Sequence, residues 1–126
     1  MDTWKRWGNE TVRMMAFEIR AEITPTHGYL QVLAAGSEWE REAERLYGLL
    51  ARLQIVEAVL RELIAGRIKR RPWIARQAVL LGEELGSVYR ELLKLPLDPV
   101  SERLAVMLQG LWMAERLCRE LADLAG

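Results

Sequence analysis

The 126-residue chain has a single cysteine, Cys118, and a single histidine, His27. One thiol excludes an internal disulfide framework, and one imidazole excludes the usual zinc sets. Charge of one sign is missing too. Eighteen Lys and Arg balance eighteen Asp and Glu, so no global basic field draws the chain to nucleic acid. No apolar run approaches the roughly 20 residues that span a bilayer, and the opening stretch MDTWKRWGNETVR is too polar for a signal peptide. A G-x-S-x-G elbow and a phosphate-cradling P-loop are both absent. With no paired histidine and carboxylate spacing, a carboxylate-bridged metal site in a bundle is not expected. These absences predict a small, soluble, cytoplasmic protein of one domain, not an enzyme, with no cofactor and no metal.

What is present is an ordinary globular mix, 51% hydrophobic and 29% charged, with four prolines and nine glycines, most of them where helices should end. Ser37-Glu38-Trp39-Glu40 has the form of a capping box, Gly66 suits a C-terminal cap, and Pro72 and Pro99 suit first helical positions. The punctuation predicts helices near 3–34, 38–65, 72–94 and 99–124. Residues of a core-facing stripe recur at spacings of three and four along each: Val12, Ala16, Ile19, Ile23, Thr26, Leu30 and Leu33, then Leu46, Leu49, Leu53, Val56, Leu60 and Leu63. Leu81, Leu85, Val88, Leu92 and Leu95 continue the scheme less strictly, and Leu104, Met107, Leu111, Ala114, Cys118 and Leu121 repeat it. Short connections between such helices predict an all-α, antiparallel four-helix bundle.

The second and fourth stripes overlay. Residues 44–63 match residues 102–121 at nine of twenty positions without a gap. In the preceding helices Tyr29-Leu30 lies over Tyr89-Arg90 at an offset of 60 residues. The expected organisation is two duplicated hairpins, about 3–65 and 72–124, joined by the basic linker 66–71, so that one chain builds a bundle simpler relatives would build by dimerising.

The stretch Phe17-Glu18-Ile19-Arg20-Ala21-Glu22-Ile23, followed by Gly28-Tyr29 and Leu33, resembles the phosphoacceptor helix of bacterial sensor histidine kinases. That dimerisation and phosphotransfer domain carries an H-E-[IL]-R-[TN]-P-L motif and then an apolar helix. The resemblance covers about residues 12–65 and implies a helical hairpin at which signalling proteins dock. The acceptor histidine is replaced by Phe17, which has no nucleophilic atom, and Ala21 and Glu22 replace the polar residue and the proline that follow. Proline comes instead at Pro25, where a kink is expected. The second copy has Gln77 at the acceptor's place under the 60-residue offset. Nothing present resembles the family's nucleotide-binding lid. The resemblance therefore implies a non-catalytic interaction protein in signal transduction, a two-component system or one adjacent, whose partner is a kinase, a response regulator or a second copy. Phe17, Arg20, Thr24 and His27 are the candidate partner-binding residues.

Two alternatives stand beside that reading. His27 is the only residue that could accept a phosphoryl group, although no acidic residue follows it in sequence to orient the imidazole. Arg67, Lys69, Arg70, Arg71 and Arg76 surround Trp73 and could meet nucleic-acid phosphates while the indole stacks on a base; an anionic membrane surface or an acidic protein would suit the same cluster. Glu38, Glu40, Glu42 and Glu44 lie among Arg41 and Arg45 and are expected to form i,i+4 ion pairs. Trp4 and Trp7 are expected to be core or dimer contacts. The stripe position of Cys118 predicts a small buried hydrophobe.

Overall fold

A computed structural model describes residues 8–96 and 102–126, without the side chains of residues 37–39. Trp4, Trp7 and Asp98-Pro99 lie outside the described residues, as do the side chains of Ser37 and Glu38. Four α-helices follow in order, α1 (Asn9–Ala35), α2 (Ala43–Ile64), α3 (Arg71–Lys94) and α4 (Glu102–Ala125), with no strand among the described residues. Each helix packs on the two next to it around the ring α1–α2–α3–α4. Neighbours run antiparallel. Arg13, early in α1, donates to the Ile64 carbonyl at the end of α2, and Thr26, late in α1, donates to the carbonyl of Met107 early in α4. The expected four-helix bundle is the fold.

Helix ends follow local chemistry. Gly66 adopts φ 72°, and the amide of Arg67 reaches back to the Glu62 carbonyl at 3.0 Å, closing α2 with the left-handed turn that glycine allows. Pro72 occupies the first turn of α3, where its missing N–H costs no bond. Beside it, the Arg71 guanidinium donates across to the carbonyls of Ala125 at 3.1 Å, Leu124 at 3.4 Å and Gly126 at 3.3 Å. These are carbonyls that a helix end leaves unpaired, and a cation there complements the dipole.

Two local expectations are corrected. The capping box starts helical backbone, but as a 3-10 segment, Ser37–Glu42, with α2 beginning only at Ala43. A 3-10 turn stacks residues three apart, and Arg41 and Arg45 form no ion pair with Glu40, Glu42 or Glu44. Pro25 lies inside α1 and faces solvent, as its place in the sequence implies.

Burial alternates at three and four residues along every helix, the heptad pattern of helices packed nearly parallel or antiparallel. Each fully buried leucine, such as Leu53, Leu85 or Leu111, contributes about 1.5–3 kcal/mol. The pattern also resets the overlay of the two hairpins. In α2 and α4 the buried residues Leu46, Leu49, Leu53, Val56, Leu60 and Leu63 fall on the buried residues Leu104, Met107, Leu111, Ala114, Cys118 and Leu121, as the identities indicate. In α1 and α3, Val12, Ala16, Ile19, Ile23, Thr26 and Leu30 fall on Ile74, Ala78, Leu81, Leu85, Val88 and Leu92. That register lies two residues beyond the tyrosine overlay, because Tyr29 and Tyr89 are both half-buried flank residues on opposite edges of their helices' stripes. The counterpart of Phe17 is thus Val79 and not Gln77.

Candidate docking face

Phe17, Arg20, Thr24 and His27 are spaced by three, four and three residues, so α1 aligns them in one strip along its border with α2. Phe17 is 60% exposed and Met14, one turn earlier, 62%; neither α3 nor α4 covers them. With Glu10, Arg13, Glu18 and Ile64 they line a groove of about 410 Å³. Arg20 is exposed, and the exposed Thr24 uses its hydroxyl to donate to the Arg20 carbonyl at 2.8 Å, a local bond that holds the ridge close to the helix. The equivalent residue of the second hairpin, Val79, is also exposed, at 49%.

His27 ends the strip and turns inward. Its Nδ1 lies 3.2 Å from Oε1 of Glu57 on α2, while Nε2 is buried without a hydrogen-bond partner. The acidic companion missing from the sequence next to His27 is supplied across the hairpin. Phosphoryl transfer needs a ring nitrogen open to an incoming phosphorus. Here one nitrogen faces a carboxylate that would repel a phosphate, and the other has no path to solvent. Glu57 itself escaped the sequence reading, although a signal was available: it is one of the identities in the overlay, matching Glu115 on α4.

The basic segment is brought to one end of the bundle but not into one track. Arg67 pairs with Glu62 at 3.0 Å, Arg71 ties α3 to the end of α4, and Arg76 lies over the Trp73 ring, 5.3 Å from its centroid. Lys69 and Arg70 are exposed and have no partner among the described residues. Another groove, of about 480 Å³, lies between α3 and α4. It is floored by Ala78, Gly82 and Gly86 and rimmed by Arg90, Glu115 and Arg119.

Cys118 is fully buried, and its thiol is pushed up to about 12 by burial and, secondarily, by the nearby Glu115 carboxylate. A thiol so protonated is no nucleophile at neutral pH, in line with its expected packing role. No cluster of metal-ligating side chains occurs among the described residues, and no helix among them is long and apolar enough to cross a membrane. No protein-family model, curated protein or solved structure matches the chain.

Proposed function

We propose that this is a non-catalytic interaction protein that binds a signalling partner, or a second copy of itself, through the α1 strip formed by Phe17, Arg20, Thr24 and His27. One observation carries the reading. The residue standing where the histidine-kinase motif has its acceptor is a phenylalanine, and it is left 60% exposed on the outer face of a helical hairpin. Its counterpart in that family lies on the face that signalling proteins reach. Mechanistically the strip would act by occupancy. A partner that covers Phe17 and Met14 gains about 1.5–3 kcal/mol from each fully buried side chain, with Arg20 setting the charge the partner must present. The protected geometry of His27 argues for docking over phosphotransfer.

The test is a pair of variants, Phe17→Glu and Arg20→Glu, measured against a histidine kinase, a response regulator and the chain itself. Both side chains are in solvent, so helical circular dichroism and the melting temperature should stay unchanged. Association should weaken at least about tenfold, equivalent to some 1.4 kcal/mol. Wild-type affinity in both variants would overturn the docking face, and so would unfolding of Phe17→Glu, which would make Phe17 a structural residue. Acid-labile phosphate on His27 after incubation with a phosphorylated response regulator would restore the phosphotransfer reading.

A further inference from the structure

We propose that the groove beside the α2–α3 turn is a second docking site, separate from the α1 strip, and that it takes an acidic peptide segment carrying one large apolar side chain. The groove holds about 440 Å³ and is lined by Arg67, Ile68, Lys69, Arg70, Trp73 and Gln77. Its apolar walls are Trp73, 49% exposed, and the half-buried Ile68. An indole left half in water beside a cavity is a poor arrangement for a helix start but a good anchor for an incoming side chain, since aromatic residues in pockets dominate binding energies.

Charge decides the occupant. Lys69 and Arg70 border the groove with no partner among the described residues, so carboxylates flanking the apolar anchor would find two unmatched cations. Half-buried Gln77 offers an amide that can meet a peptide backbone as donor and as acceptor. A nucleic acid fits less well. A phosphate track needs a row of available cations, whereas Arg67 is closed on Glu62 and Arg71 on the carbonyls that end α4. Arg76 already covers a face of the Trp73 ring that a base would stack on, and Glu62 would repel phosphates. A flat anionic bilayer fits less well still, because it cannot fill a concave floor.

The experiment titrates a synthetic peptide of the pattern Asp-Glu-Phe-Leu-Asp-Glu into the isotope-labelled full chain and follows amide and indole resonances. Saturable shifts confined to residues 66–77, including the Trp73 indole N–H, are expected. Raising the salt concentration should weaken them, as screening of exposed charges requires. The double variant Lys69→Glu/Arg70→Glu should lose at least about tenfold in affinity, and so should Trp73→Ala; all three side chains are exposed, so the fold is retained, and circular dichroism verifies this. A lysine-for-acid version of the peptide should not bind. The proposal is overturned by an absence of saturable shifts up to about 1 mM peptide, a binding free energy of some −4 kcal/mol. It is equally overturned by unchanged affinity in the charge-reversed variant, or by tighter binding of a thymidine oligonucleotide or of phosphatidylserine vesicles at the same residues.

Discussion

The bundle has two seams that join one hairpin to the other, and the overlay of α2 on α4 makes them equivalent. At the matching place one carries Arg52 and the other Gly110. Where Gly110 stands, α4 lies so near α1 that a Cβ would come within 2.5 Å of the Glu22 carbonyl oxygen, and the hydroxyl of Thr26 reaches the Met107 carbonyl across the same gap. Where Arg52 stands, α2 and α3 share the least extensive of the four contacts. The guanidinium bridges them through Glu84 and Ser87, and Ile55 and Leu80 stay exposed. The closed seam thus has a glycine at the flank position where the open one has an arginine. The same contrast recurs within the hairpins. Arg20 and Thr24 border α2, whereas their counterparts Gly82 and Gly86 let α4 pack close to α3.

Filling the closed seam should do the most damage. In Gly110→Ala the new methyl meets a main-chain atom that no rotamer change can move aside, so α1 and α4 must separate. Overpacking of this kind costs about 1–3 kcal/mol, against a gain in helix propensity of about 1 kcal/mol. The midpoint of chemical denaturation should therefore fall. Gly48→Ala is the control: it is also a mid-helix glycine, but with nothing within 4 Å of the added carbon, and it should raise the midpoint through propensity alone. Equal shifts in the two variants would mean that the seams do not differ as described.

The tight side of the bundle can also be read through its thiol. Cys118 sits where Gly82 brings α3 close, 3.4 Å from the Cβ that glycine lacks, while its counterpart on the other hairpin is Leu60. With its folded pKa raised to about 12 from an ordinary 9.0, the thiol keeps its proton in the native state where the unfolded chain would release it. Stability should thus be unaffected below pH 9 and decline from there toward pH 12, by at most about 1.4 kcal/mol per pH unit. Cys118→Ala should remove that slope while costing packing at every pH. Thiol-reactive dye at pH 8 should label the wild type only as fast as it unfolds. Rapid labelling under native conditions would show α3 and α4 to be looser than Gly82 suggests.

Most of the fold was legible because it rests on residues that repeat: leucine spacing set the four helices, Gly66 and Pro72 set two of their ends, and Thr26 and Cys118 were placed on buried stripes that hold them. The six residues from Ser37 to Glu42 were misread because a capping box reports the start of helical backbone without distinguishing 3-10 from α. The register of α1 on α3 was misread because identical tyrosines weigh more in a letter-by-letter overlay than non-identical core residues such as Val12 and Ile74. For the candidate strip, helical spacing was enough to align Phe17, Arg20 and Thr24. The partner of His27 was not legible, since Glu57 meets it only once α1 and α2 are packed in one register. Nor could composition separate Lys69 and Arg70 from Arg67 and Arg71, whose charges are taken up by groups distant in the chain or by a turn.

Opening the open seam further should matter least. Arg52 and Glu84 are about one third exposed, and pairs so placed typically contribute under about 1 kcal/mol once solvent screening and side-chain entropy are counted. In Arg52→Met the stem that packs between α2 and α3 is kept and the charge removed, leaving Glu84 near enough to water to stay hydrated. A double-mutant cycle with Glu84→Gln should give a coupling of a few tenths of a kcal/mol, smaller at high salt. Its comparison with Gly110→Ala is what gives it meaning, because the two positions are equivalent in the overlay. If Arg52→Met costs as much as Gly110→Ala, the guanidinium is a structural tie, and α2 and α3 are bound as firmly as α1 and α4. If it costs little, the α2–α3 side is the part of the bundle whose surface can be altered or covered by a partner at least expense to the core.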